Sequence, residues 1–322
     1  MISRRRLAGL SAAALAAGAA PAAAQESFSA FLGSLRAQAA RSGISRGTID
    51  RAFSGMQPNA RVIELDRHQP EFTLTWAQYR ARVLEPAKLA GGRSAFAANR
   101  ALLIEVDRRL RVTPDVVVGI WGIESDYGAI TGDFNVVQSL ATLAWESGRP
   151  SFFRSEAVSA LRILDHGDIG FAQITGSYAG AMGQPQFMPD SFLRYAIDFD
   201  GDGRRDIWTS RPDVLGSIAN YLASSGWRYG EPWGQPVMAP PEIDTALAGR
   251  GRTRSLGEWM RLGVRRADGA AFSAPLVQGA LLLPDGPGGD AFMVYPNFDV
   301  IRRYNPSDFY ALAVGLLGSQ SV

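Results

Sequence analysis

The 322-residue chain contains no cysteine and only two histidines. Without thiols there is no disulfide framework, no thiolate nucleophile and no cysteine for lipid attachment. His68 and His166 are far apart and lack metal-ligand spacing, which removes the ordinary zinc sites. Neither has a context that suggests a Ser/His pair, and no G-x-S-x-G elbow or phosphate-binding glycine loop occurs. Beyond the N-terminal segment there is no apolar run long enough to span a membrane. An excess of one charge is also missing. The formal charge is +2, and Arg4, Arg5 and Arg6 belong to a segment read below as removed, which leaves −1. A strongly basic nucleic-acid surface is therefore excluded. Carboxylates are left to carry any chemistry.

The composition, 46% hydrophobic and 20% charged, is that of a globular protein with enough chain for one large domain or two small ones. Residues 1–24 read as a cleaved secretory signal, with a basic start, an Ala/Leu/Gly middle and an A-A-A-Q end cut after Ala24. Ser3-Arg4-Arg5-Arg6-Leu7 fits a twin-arginine signal and also an ordinary Sec signal. Export without a lipid-attachment cysteine points to the periplasm, with no membrane anchor.

Apolar residues at helical spacing dominate the first part of the mature chain. Phe28, Phe31, Leu32 and Leu35 form one stripe, and Phe96, Leu102, Leu103 and Val106 another. Thr113-Pro114-Asp115 has the cap, first-position proline and first-turn acid of a helix start, and Gly128 is the expected stop. Further helices are expected over 136–145, 152–165 and 214–224, and a last one after Ser307. Between Tyr229 and Pro296 proline and glycine become dense, and the short runs A-L-L-L-P and A-F-M-V-Y predict strands. The reading is a mainly helical α+β chain: a helical part over 25–111, a core formed by 112–228 and 297–322, and a β-rich insertion over 229–296.

Three stretches bear on chemistry. In V-V-V-G-I-W-G-I-E-S-D-Y-G, Glu124 falls near the C-terminal end of a helix, where free carbonyls disfavour negative charge, amid Ile120, Trp121 and Ile123. Both influences raise a carboxyl pKa, as a general acid for glycosidic cleavage requires; a salt bridge to an arginine is the alternative. In G-S-Y-A-G-A-M-G-Q-P-Q-F-M-P-D-S-F, amides and flat side chains alternate with small residues, which suits a sugar cleft and equally a tight structural loop. In D-F-D-G-D-G-R-R-D, acids at loop positions one, three, five and nine with glycine at six follow the EF-hand pattern. Asp198, Asp200, Asp202 and Asp206 and the Arg204 carbonyl are the expected ligands of a structural calcium ion. Thr209 stands where a bidentate glutamate is usual, and Asp213 is the substitute acid.

Together these strings, with G-S-I-A-N-Y-L and Y-P-N-F-D-V-I-R-R-Y-N, resemble the lytic murein transglycosylase B family over nearly the whole mature chain. The resemblance implies a lysozyme-like catalytic core that cleaves the β-1,4 bond from N-acetylmuramic acid to N-acetylglucosamine without water and needs no cofactor for the chemistry. It makes Glu124 the sole acid/base and Ser177 a cleft serine that assists the reacting sugar. Gln186, Phe187 and Met188 become cleft-lining residues, Tyr79, Tyr221 and Tyr304 cleft tyrosines, and Arg149 a peptide-stem-binding arginine. It implies peptidoglycan glycan strands as the partner and leaves cell-wall enzymes open as protein partners. The chain departs from anchored members in lacking a lipidated cysteine, and from others in ending before a separate C-terminal wall-binding domain. A hydrolytic muramidase and a non-catalytic peptidoglycan-binding scaffold are the competing readings.

Overall fold

A computed structural model describes residues 26–68 and 74–322. The secretory signal read from the sequence lies outside the described residues. The chain begins with helices α1 (Phe28–Arg41), α2 (Arg46–Ala52), α3 (Ala60–Arg67), α4 (Trp76–Val83) and α5 (Pro86–Leu110). Helix α6 (Pro114–Ser125) leads to strand β1 (Phe134–Asn135), helices α7 (Val136–Glu146) and α8 (Pro150–His166), and strand β2 (Thr175–Gly176). Helices α9 (Pro189–Tyr195) and α10 (Arg211–Ser224) follow. Next come β3 (Gly234–Met238), β4 (Thr253–Ser255), α11 (Leu256–Arg261), β5 (Arg265–Arg266), β6 (Gln278–Leu282) and β7 (Ala291–Val294). Helices α12 (Pro296–Tyr304) and α13 (Asp308–Ser319) end the described chain. No described helix is long and apolar enough to cross a membrane.

Helices and loops gather around two hydrophobic centres. One joins α1, α7, α8 and α9 through Leu35, Leu140, Phe153, Leu161 and Phe192. The other joins α5, α6, α10 and α13 through Leu103, Val117, Ile120, Leu215 and Val314. Tyr304 packs against both, so the chain around α12 lies at their junction. The stripe Phe28/Phe31/Leu32/Leu35 is buried as its spacing predicts; of the second stripe Leu103 and Val106 are buried, while Phe96 and Leu102 are half-buried.

The apolar runs of the β-rich segment are continuous because their sheet is covered on both faces. Its antiparallel strand order is β4–β6–β7–β3–β5. Leu281 and Met293 turn toward Trp259 of α11, while Ala280, Leu282, Phe292 and Val294 enter the α6/α13 core.

Helices α6 and α13 pack closely because glycines remove side chains at their contacts. A Cβ on Gly119 would lie 2.3 Å from the Val314 carbonyl oxygen, and one on Gly318 would lie 2.2 Å from that of Asp115. The pairing is antiparallel, so the end of α6 meets the start of α13. Ser307 caps α13 as expected, accepting from the Tyr310 amide. Thr113 occupies the N-cap of α6 without a side-chain hydrogen bond. The expected stop at Gly128 is displaced: α6 ends at Ser125, and Asp126 and Tyr127 already adopt left-handed φ values of 51° and 60°. Glu124 is therefore the penultimate helical residue.

Candidate functional site

The apolar character of α6 carries Glu124 to a protein-lined position in which its carboxylate has one direct partner among the described residues. The Tyr310 hydroxyl donates to Oε1 at 2.6 Å. Burial raises the Glu124 carboxyl from its usual 4.5 to about 7, while the Tyr310 hydrogen bond pulls the other way. Among the described residues no second carboxylate acts on it. Asp126, two residues on, belongs to the left-handed turn and faces Lys88 of α5 at 3.4 Å. Lys88 also donates to the Gly122 carbonyl at 3.1 Å, which accepts from the Asp126 amide as well at the end of α6.

The Gly176–Met188 stretch folds back on itself through reciprocal Met182–Phe187 backbone hydrogen bonds of 2.8 and 3.1 Å. Gly183 is required here, with φ at 61° and the Ile207 carbonyl oxygen 2.6 Å from where a Cβ would lie. Ser177 Oγ accepts from the Ala181 amide at 3.0 Å, and no acceptor engages its O–H proton among the described residues. Gln186 stands at φ 52° and donates its amide to the Thr131 and Gly183 carbonyls at 3.1 and 2.7 Å. Gln184 does a different job from the sugar contact that its amide suggests. It accepts from Trp121 Nε1 at 3.0 Å and Arg211 Nη1 at 2.8 Å, and donates to the Trp208 carbonyl at 2.8 Å. It thereby ties this loop to α6.

Aromatic side chains connect the loop to Glu124. Phe187, only 2% exposed, lies in the core with its ring 5.8 and 5.7 Å from those of Tyr221 and Tyr304. It supports the tyrosines from behind, and Met188 is the half-buried N-cap of α9. Tyr221 and Tyr304 lie 4.6 Å apart, and Tyr304 stacks with Tyr310 at 6.5 Å. The Tyr304 hydroxyl donates to the Pro185 carbonyl at 2.6 Å, which closes the loop against α12. Tyr79 approaches from α4, with its ring 5.8 Å from Phe309. Burial, together with the Glu124 charge, raises the Tyr79, Tyr304 and Tyr310 hydroxyls above the normal phenol range. Tyr79 and Tyr310 also line a cavity of about 410 Å³ with Leu74, Asn305, Ser307 and Phe309.

The structure thus brings Glu124, Tyr79, Tyr304 and Tyr310 together, with Tyr221 beside Tyr304 and the Ser177–Met188 loop tied to the same elements. Tyr310 is absent from the sequence reading, which treats S-D-F-Y-A-L-A only as an apolar helix. The available signal was a phenol on a face that is otherwise aliphatic and glycine. Arg149 is not brought in. It lies exposed at the α7–α8 turn, 5.4 and 5.0 Å from the Phe152 and Phe153 rings, and no described contact links it to Glu124.

The acidic loop gathers only some of its expected ligands. Oxygens of Asp198, Asp200 and Asp202 lie within 4.8 Å of one another. Asp206 instead accepts from the Trp208 and Thr209 amides at 2.9 and 2.8 Å. Asp213 accepts from the Phe199 and Asp206 amides at 2.7 and 2.8 Å. The Arg204 side chain turns toward Asp202 at 3.4 Å. Asp213 is fully buried, and burial, helped by Asp200 and Asp198, raises its carboxyl to about 6. Three converging hard oxygen donors with a buried acid behind them fit a calcium-sized cation, which would be held by Asp198, Asp200 and Asp202.

A mainly helical α+β core with the half-buried Glu124 carboxyl at the junction of two helical groups is a lysozyme-like arrangement. The family model of the transglycosylase SLT domain matches residues 27–319. The membrane-bound lytic murein transglycosylase B of Escherichia coli K12 is 33% identical over 248 residues, covering 76% of this chain and 66% of that protein, just under two thirds. SltB3 of Pseudomonas aeruginosa, solved in complex with NAG-anhNAM-pentapeptide, is 47% identical, with a TM-score of 0.88 over 92% of this chain and 80% of its own. Escherichia coli Slt35, solved in complex with calcium, is 28% identical, with a TM-score of 0.74 over 91% of this chain and 92% of its own. The chain belongs to the transglycosylase SLT domain family.

Proposed function

We propose that the protein is a lytic murein transglycosylase that cleaves the β-1,4 bond from N-acetylmuramic acid to N-acetylglucosamine and leaves 1,6-anhydro-N-acetylmuramic acid ends. The observation that carries this is Glu124: a carboxyl raised to about 7, with a tyrosine hydroxyl on it and, among the described residues, no second carboxylate acting on it. Glycosidases that use water or a covalent intermediate usually employ two carboxylates, whereas intramolecular attack needs one group that serves twice.

In the first half-reaction, protonated Glu124 gives its proton to the leaving glycosidic oxygen as the C1–O bond breaks. The acetamido oxygen of the muramic acid stabilises the cationic C1, and the Ser177 hydroxyl donates to that acetamido group. In the second half, ionised Glu124 takes the proton of the 6-hydroxyl as that oxygen bonds C1. Glu124 returns to its protonated form, and no water is consumed. A carboxyl whose pKa lies near the working pH suits both duties. Tyr79, Tyr221 and Tyr304 flank the sugars, and Gln186 and Met188 extend the contact surface. Calcium in the Asp198–Asp202 loop is structural.

The titration of Glu124 matches work near neutral pH in the periplasm, reached by export on the N-terminal signal, with glycan strands as the partner and other cell-wall enzymes as neighbours. Mass spectrometry of murein digested by the mature protein, with Glu124→Gln as control, tests the proposal. Anhydro-muramic products that vanish in Glu124→Gln are the expected result. Products heavier by one water would make the protein a hydrolytic muramidase. Binding without any cleavage would make it a scaffold.

A further inference from the structure

Two loops of the β-rich segment contact the helices that carry the tyrosines around Glu124. The turn from β6 to β7 carries Asp285, whose two oxygens accept from the Trp76 and Ala77 amides at 2.6 and 2.9 Å. These are the first two residues of α4. Their N–H groups have no partner within the helix, and Thr75 of the capping box serves only the next one, Gln78. Asp290, at the end of the same turn, accepts from Trp76 Nε1 at 2.7 Å and pairs with Arg80 at 2.5 Å. Trp76 is fully buried, edge-on to Phe292 of β7 at 5.7 Å and Phe309 of α13 at 5.6 Å. Tyr79 follows about one helical turn later. A second loop presents Arg250, which pairs with Asp299 of α12 at 3.0 Å and Asp308 of α13 at 2.9 Å. Asp308 also meets Arg302 at 2.5 Å, and Tyr310 stands two residues beyond it.

We propose that the β-rich segment is the positioning element of the tyrosine wall, with Asp285 and Arg250 as positioning residues that hold Tyr79 and Tyr310 against Glu124. Helix α4 has only eight residues, too short to be stable by itself, so its external contacts must set its placement. A carboxylate on its first two amides both satisfies them and complements the positive end of the helix. Arg250 does the corresponding work at the α12–α13 corner, where two acids from different helices meet one guanidinium. The aromatic contacts of Trp76 and Phe309 join the two latches, so a loosening of either one is felt at both tyrosines.

The inference rests on the transglycosylase reading for its catalytic meaning, but its test has a readout that needs no substrate. The groups facing Glu124 are Tyr79 of α4, Tyr304 of α12 and Tyr310 of α13, with the Lys88–Asp126 pair beside the end of α6. Carbon-13 NMR of the Glu124 carboxyl in the whole protein reads that surrounding directly, and kcat and KM on murein read its consequence. In Asp285→Ala, α4 loosens, water reaches Glu124 and its titration midpoint falls. A displacement of this kind lowers kcat about tenfold with KM little changed. Arg250→Ala shifts the midpoint and kcat through the other latch. Asp285→Glu, which keeps a carboxylate near the two amides, restores much of both. If Asp285→Ala fails to fold, Asp285→Asn, with a single acceptor oxygen, gives a smaller shift in the same direction. An unchanged midpoint and kcat in the folded variants, or a rate loss matched by loss of folded protein alone, overturns the inference. A shifted midpoint in a protein that does not cleave murein would leave the positioning role standing and remove the transglycosylase reading.

Discussion

At the residue scale, Glu124 is held between two opposing influences. Desolvation favours its neutral form, and the Tyr310 hydroxyl, donating at 2.6 Å, favours the anion. Removing that donor in Tyr310→Phe therefore raises the Glu124 pKa further above 7. Because the proposed first half-reaction needs the protonated acid, the alkaline limb of the kcat/KM profile moves to higher pH, by about one unit for a hydrogen bond to a charged group. The maximal rate falls, since the carboxyl loses its orienting partner. A pH–rate comparison of the two proteins checks this, and a limb that stays or moves down would show that Tyr310 does not act on the anion. The motif G-I-E-S-D-Y-G directs attention to Glu124 from the sequence. Its phenol partner lies 186 positions away and carries no local mark of that role.

At the element scale, the packing of the helix pair α6–α13 sets how Tyr310 meets Glu124. It can be this close only because Gly119 and Gly318 present no side chain to the opposite backbone. In Gly119→Ala the new Cβ would lie 2.3 Å from the Val314 carbonyl oxygen, so α13 must move. The expected cost is about 1–3 kcal/mol, seen as a lower Tm, with a fall in kcat because Tyr310 moves with α13. Gly33→Ala in α1 is the control: nothing lies within 4 Å of its Cβ, and a helix-interior alanine should raise stability by about 0.5–1 kcal/mol. Thermal unfolding of the two variants measures the contrast, and equal effects would mean that the helix interface is not the cause. The helices themselves are legible from their spacing. Their contact is not, because a glycine in a helix reads only as a weak helix former until its neighbour is known.

At the scale of the whole molecule, the chain gathers into two helical groups and a covered sheet, with the acidic loop on the segment between α9 and α10. Asp198, Asp200 and Asp202 converge there, and the buried Asp213 clamps the loop by accepting from Phe199 and Asp206. A cation bound only by the folded loop stabilises the whole fold by mass action. Calcium at a hundred times its Kd adds about 2.7 kcal/mol, which for a protein of this size is a rise in Tm of about 5 °C. A thermal shift with calcium against chelator measures it. Asp198→Asn should abolish the calcium-dependent part, and a calcium response that survives this change would place the ion elsewhere.

Local pattern by itself determined the helical stripes, the strand-forming runs and the resemblance that names the family, because periodicity and contiguous motifs are properties of neighbouring residues. It also singled out an acid in an apolar helix and an acidic loop with one residue out of pattern. Tertiary structure alone decided which groups meet: Tyr310 with Glu124, Gln184 with Trp121 and Arg211, and Asp285 with the first amides of α4. It also placed Phe187 behind the tyrosines and left Arg149 outside them. Each of these depends on chain segments that are distant in sequence, and on burial, which sets the price of a charge only after the fold has chosen its surroundings.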